Sequence, residues 1–191
     1  HSDRDRVTQR LSVTTAPTAL AGSWRWISNT EAAFRPATFW TPHTKVTVTA
    51  NLKGLGIRTT EGKRTFWGLK NARTSFTVGR ALVVTINGKR MSGTVSIDGK
   101  QVRRFGVSLG KSGFLTRSGI KTLTEKYRLR RMTNLGVTDD EVYDLQVPYA
   151  MRITDSGEFL HAAPWNGNIG YANTSHGCSN LKTADAKFIF D

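Results

Sequence analysis

Residues 81–108 read ALVVTINGKRMSGTVSIDGKQVRRFGVS, and this stretch decides the fold class. Ala81-Leu82-Val83-Val84-Thr85-Ile86 is rich in β-branched residues and stops at Asn87-Gly88. Thr94-Val95-Ser96-Ile97 stops at Asp98-Gly99, and a third run extends from Gln101 to Ser108. Asn-Gly and Asp-Gly tolerate the positive φ angles of two-residue hairpin turns, so the pattern predicts a β-meander with tight turns at both dipeptides. Ser75-Phe76-Thr77-Val78-Gly79 is expected to lead into it.

On the N-terminal side, Leu11–Thr14, Ser23–Ile27 and Lys45–Ala50 alternate in polarity, and Ala-Pro, Arg-Pro and Thr-Pro pairs, Gly54 and Gly56 interrupt them. Short strands with Pro-rich connections predict an immunoglobulin-like β-sandwich over residues 1–74, followed by a second β domain over residues 75–191. An immunoglobulin-like domain usually needs ~100 residues, so the first domain is expected to have begun upstream. In the second, residues 110–142 are mixed, with four glycines and the basic cluster Lys126, Arg128, Arg130 and Arg131, and could hold a hairpin that folds over something. Residues 146–153 and 157–161 read as strands around an Asp155-Ser156-Gly157 turn. One helix is signalled, Thr183–Phe190, with Thr183 as its N-cap. It runs into Asp191, so this domain is expected to continue beyond the chain. The fold class is mainly β with few helices.

Composition narrows the function classes. The 191 residues are 38% hydrophobic with 18 aromatics, enough apolar surface for a core and too much for a disordered chain. No run approaches the ~20 apolar residues of a membrane span. The first twenty residues lack a signal-peptide pattern, and with His1 in place of Met the start is expected to lie inside a longer chain. The net charge of +14 favours polyanionic partners: nucleic acid, anionic lipid or an acidic wall polymer. That charge is spread along the chain, and its one tight cluster interleaves with no nucleic-acid motif. A solvated basic surface is the plain reading, and no nucleic acid is expected as partner.

Cys178 is the only cysteine, so no intrachain disulfide can form. His176 lies two residues before it, and His161 ends the apolar run Phe159-Leu160-His161. His1 and His43 read as surface residues. A thiol attacks as thiolate, and a neighbouring imidazole can take its proton and hold the ion pair, which makes Cys and His the minimal set for acyl transfer. Gly177 permits a sharp turn, and a helix starting near 179–183 would favour the thiolate if its N-terminus points at the sulfur. Two other readings stay open: Cys178 as a small buried hydrophobe, and a zinc site from His161, His176 and Cys178 that lacks a clear fourth ligand.

Ser175-His176-Gly177-Cys178-Ser179-Asn180, preceded by His161, resembles the signature of the YkuD-type L,D-transpeptidases. Thirteen residues separate His161 from Ser175, slightly fewer than the family pattern. His161-Ala162-Ala163-Pro164-Trp165, Ser108-Leu109-Gly110-Lys111 and Thr116-Arg117-Ser118-Gly119 resemble further family segments. Residues 22–75 are similar to the immunoglobulin-like domain of its actinobacterial members. The resemblance implies that Cys178 attacks a peptidoglycan tetrapeptide stem at the carbonyl before its terminal D-alanine. His161, oriented by a backbone carbonyl such as that of Ala162, moves the proton, and a second stem's amine resolves the thioester into a 3→3 cross-link. It implies an oxyanion site from the Gly177 and Cys178 N–H groups with the Tyr143 hydroxyl nearby, and site architecture from Ser175, His176 and Asn180. Pocket-shaping or substrate-binding roles fall to Trp165, Asn173 and Tyr149, and residues 126–142 would form a basic lid meeting stem carboxylates. The expected partners are stems as donor and acceptor and carbapenem β-lactams as covalent inhibitors. No cofactor and no metal are expected. The expected place is the cell envelope, on the extracytoplasmic (periplasmic) face, with membrane anchoring of a longer protein left open. The competing readings are a murein L,D-carboxypeptidase or other cysteine peptidase, and a non-catalytic wall-binding protein.

Overall fold

A computed structural model describes residues 3–58, 62, 64–134 and 142–191. The chain divides into two compact units, residues 1–81 and 82–191. The first holds α1 (Asp3–Thr8), β1 (Leu11–Ala16), β2 (Gly22–Trp26), β3 (Ala32–Pro36), β4 (Lys45–Ala50), β5 (Gly56–Arg58), β6 (Thr65–Trp67) and β7 (Ala72–Thr77). Alternation along β1 and β4 puts one set of side chains inward, and β4 is the centre of an antiparallel β1-β4-β7 sheet with Val46 fully buried. β2 pairs with β3, and β5 with β6. Ring contacts run from Trp24 to Phe34, Trp40 and Phe76, with centroids 5.4–6.2 Å apart, an aromatic row that is half-buried and ends at the exposed Phe76.

Two expectations change here. Ser75–Thr77 pairs with β4 inside the first unit instead of leading into the meander, so the boundary falls at 81/82, not 74/75. Periodicity marks a strand but does not choose its partner. The short helix α1 was unsignalled because it has no apolar stripe. Tertiary hydrogen bonds hold it, with the Arg58 N–H donating to Asp3 Oδ2 (3.0 Å) and Trp26 Nε1 donating to Thr8 Oγ1 (3.2 Å).

The second unit opens with the expected meander, β8 (Leu82–Asn87), β9 (Ser92–Ile97) and β10 (Lys100–Gly106), in order β10-β9-β8. Asp98 and Gly99, at φ 51° and 82°, make the two-residue turn that their types predict. Asn87-Gly88 does not. Asn87 stays paired with Ser92 and its Oδ1 accepts the Arg90 N–H at 3.0 Å, which builds a four-residue loop, Gly88–Met91.

β11 (Glu125–Thr133), β12 (Asp144–Arg152), β13 (Phe159–Ala162) and β14 (Ser179–Leu181) form a four-stranded sheet in chain order, parallel only between β13 and β14. α2 (Thr183–Phe190) buries Ala186, Ile189 and Phe190, the i, i+3, i+4 stripe of one helix face. They meet Val95, Phe105 and Val107 near the meander and Met151, Leu160, Ala162 and Leu181 of the sheet. The N-cap is Lys182 and not Thr183, and it makes no side-chain cap bond. β14 was read as the lead into that helix, since Ser-Asn-Leu has no alternation. Parallel pairing with β13 and reciprocal Ser108–Asn180 backbone bonds (3.0 and 2.8 Å) make it a strand. Of the hairpin expected within 110–142 only β11 falls in that range, and its antiparallel partner is β12, where a strand was expected over 146–153. Residues 135–141 of the expected lid lie outside the described residues. Among the described residues no helix is long and apolar enough to cross a membrane.

Candidate active site

The parallel β13–β14 pair brings the chemistry-bearing segments together. His161 lies opposite Asn180, and Cys178 directly precedes β14. Both side chains line one cavity of about 310 Å³. Met132, Tyr143, Leu145 and Val147 from the β11–β12 region line it together with Trp165–Asn168 and Thr174–His176.

His161 is 4% exposed, and its Nδ1 lies 2.7 Å from the Ala162 carbonyl oxygen. A carbonyl only accepts, so Nδ1 carries the hydrogen and Nε2 is left with a lone pair. Trp165 stacks on the imidazole at 6.2 Å and 28°. Burial pushes the His161 pKa down, against the smaller pull of the Ala162 carbonyl. Burial likewise pushes the Cys178 thiol up; a hydrogen bond from the Phe159 backbone opposes this and the Glu158 charge adds to it. Burial thus disfavours the charged form of each group, against the expected ion pair. The helix dipole offers no rescue, because β14 and Lys182 separate Cys178 from the first turn of α2 and the effect fades within one turn.

The segment before the thiol is fixed by hydroxyls. Ser175 Oγ donates to the Cys178 carbonyl (2.6 Å) and accepts the Gly177 N–H (3.2 Å). Gly177 sits at φ 112°, where a side chain is strained. Its N–H is engaged with Ser175, so the expected pair of oxyanion donors is not preformed. Asn180 is buried, lines the cavity, and its Oδ1 has no hydrogen-bond partner among the described residues. His176 packs its ring against Phe114 (4.8 Å) and Tyr143 (5.5 Å), which places Tyr143 at the cavity wall.

Other expected residues lie elsewhere. Tyr149 packs on Phe190 at 5.5 Å, on the core side of β12, away from the cavity. Asn173 Oδ1 accepts the Leu109 N–H at 2.9 Å, a tie to the neighbouring chain, and does not line the cavity. The basic cluster does not line it either. Lys126 and Arg128 lie over Phe190, Arg130 lies over Tyr127 and Phe159, and Arg131 pairs with Asp144. Their contacts are thus with Phe190, Tyr127, Phe159 and Asp144, and none of the four lines the cavity. Among the described residues no three His, Cys, Asp or Glu side chains gather as a metal site.

The segment between Gly110 and Thr124, expected only as part of a region that folds over something, packs on the Ser175–Cys178 turn. A side chain at Gly110 would lie 1.8 Å from the Phe114 carbonyl, so only glycine admits the fold-back. Thr116 Oγ1 accepts the Gly110 N–H and donates to the Gly177 carbonyl, both at 2.9 Å. Glu158 accepts from the Arg117 N–H (3.0 Å), Arg117 Nε (3.2 Å) and Lys121 Nζ (2.6 Å). Burial pushes its carboxyl up, but these donors outweigh it and hold the pKa at about 2. The quoted motif Thr116-Arg117-Ser118-Gly119 was the signal available for this segment.

Comparison with known proteins fits this geometry. The L,D-transpeptidase catalytic domain model, YkuD, matches residues 80–191, and the bacterial Ig domain model matches residues 1–56. The chain belongs to the L,D-transpeptidase family. It is 32% identical over its full length to L,D-transpeptidase 2 of Mycobacterium tuberculosis (strain CDC 1551 / Oshkosh), of which it spans 46%. It is 30% identical to L,D-transpeptidase 1 of Mycobacterium tuberculosis (strain ATCC 25618 / H37Rv), again over its full length, and spans 70% of that protein. A solved L,D-transpeptidase structure in complex with imipenem superposes with a TM-score of 0.73 at 30% identity, covering all of this chain and 82% of the other. The catalytic-domain match takes in every residue of the cavity.

Proposed function

We propose that this chain acts as a peptidoglycan L,D-transpeptidase, with Cys178 as nucleophile and His161 as proton carrier. The observation that carries the proposal is that the Cys178 thiol and a His161 with its Nε2 lone pair line the same cavity. Cys178 Sγ bonds to the carbonyl carbon of the third stem residue as His161 Nε2 takes the thiol proton. Collapse of the tetrahedral anion breaks the C–N bond, the proton passes to the leaving amine, and D-alanine departs. The side-chain amine of a second stem then attacks the thioester, breaking the C–S bond and yielding a 3→3 cross-link; its proton returns to the sulfur through His161. Because burial favours the neutral form of each group, proton transfer accompanies carbonyl attack. The anion is held by the Cys178 N–H, joined by the Gly177 N–H once Ser175 releases it, with Tyr143 and Trp165 closing the pocket. Ser175, His176 and Asn180 shape the site. The substrate places the protein at the cell envelope on the extracytoplasmic face.

Carbapenems such as imipenem carry an activated lactam carbonyl suited to the same thiol. Intact mass after incubation with imipenem is expected to show one adduct per chain. Cys178→Ala abolishes it, and His161→Ala slows it by roughly 10²–10⁴, the range of general acid–base catalysis. A folded protein that forms no adduct overturns the reading. With a disaccharide tetrapeptide, cross-linked dimer supports transfer, whereas tripeptide and D-alanine alone mean hydrolysis.

A further inference from the structure

Thr116 lies outside the cavity lining, yet its hydroxyl reaches the peptide bond that carries the thiol residue. The Gly110 N–H donates to Thr116 Oγ1 at 2.9 Å, which occupies an acceptor site on the oxygen and turns the hydroxyl hydrogen towards the Gly177 carbonyl, also 2.9 Å away. In a trans peptide the carbonyl and the next N–H point in opposite directions, so fixing the Gly177 C=O fixes the Cys178 N–H. Gly177, at φ 112°, is a joint where that peptide plane could otherwise turn at little cost. The next peptide is pinned in the same way, since Ser175 Oγ donates to the Cys178 carbonyl at 2.6 Å.

We propose that Thr116 is a positioning residue for the oxyanion donor: it holds the Gly177–Cys178 peptide plane so that the Cys178 N–H faces away from the 111–124 segment, towards the developing anion. The segment is braced for this task. Arg117 and Lys121 anchor it to Glu158, Phe114 sets its ring edge on His176, and the close approach at Gly110 leaves the segment no room to slide. The inference rests on the acyl-transfer reading above, and it concerns a group that touches neither sulfur nor substrate.

Two reactions of the same thiol separate the possibilities. Alkylation by iodoacetamide develops no oxyanion, whereas acylation by imipenem does. Thr116→Val is expected to slow imipenem acylation by roughly tenfold or more, short of the 10²–10³ lost when an oxyanion donor is removed outright. Iodoacetamide alkylation stays within about twofold under the same oxyanion argument. Thr116→Ser, which keeps the hydroxyl, restores acylation. If the valine protein does not fold, Thr116→Ala carries the same comparison without added bulk. Equal slowing of both reactions, unchanged acylation, or a serine variant no better than valine overturns the inference. A wild-type protein that is alkylated but resists imipenem instead brings down the acyl-transfer reading, and this inference with it.

Discussion

At the residue scale, the decisive property of Cys178 is the burial that favours its neutral form. Burial raises its pKa and lowers that of His161, and the Glu158 charge adds to the effect on the thiol. The thiolate fraction is therefore small at neutral pH and grows as pH rises through and beyond the ordinary value of 9.0. The iodoacetamide rate of the wild-type protein is expected to keep climbing past pH 9, with no plateau near neutrality. A plateau with a midpoint below pH 7 would show a resting thiolate–imidazolium pair and refute this assignment. A neutral pair also limits reaction with adventitious electrophiles, since a substrate carbonyl must be present for the proton to move.

At the element scale, α2 and the β13–β14 pair form a single support. Ile189 is 3% exposed, and the helix face that it shares with Ala186 and Phe190 packs against Leu160, Ala162 and Leu181. Leu160 and Ala162 flank His161 in β13, so the helix holds the strand that carries the base. Asp185 adds an anchor to β10 through Arg103 Nε at 2.7 Å. Ile189→Ala is expected to destabilise the catalytic unit by about 2–5 kcal/mol, the usual cost of emptying a buried aliphatic site. Urea unfolding followed by tryptophan fluorescence reads this, and a change below 0.5 kcal/mol, the scale of an ordinary surface substitution, would contradict the packing described.

At the scale of the whole molecule, Glu158 links acid stability to the site. Its pKa is held at about 2 against an ordinary 4.5, so the folded state binds its proton less readily than the unfolded chain. The sign follows: this contribution is complete above pH 4.5 and fades as pH falls from 4.5 towards 2. The melting temperature of Glu158→Gln is expected to lie below wild type at pH 6, with the gap closing between pH 4.5 and 2. A gap that stays constant through that interval would mean that the carboxylate charge contributes nothing.

Local chemistry in the sequence carries much of this protein. Alternation and turn residues determined the β class and the meander, down to the Asp98-Gly99 turn, because they express backbone geometry within a few residues. The Ser175–Asn180 block and His161 marked the candidate site, because a lone thiol among His, Gly and polar neighbours has few structural explanations. Tertiary structure alone decided which strand Ser75–Thr77 would join, that Ser179–Leu181 would be strand, that Tyr149 and the Lys126–Arg131 cluster would not line the cavity, and that Thr116 would reach the Gly177 carbonyl. Partner choice, side-chain facing and protonation depend on groups distant in the chain, and burial sets their energies only after those groups have met.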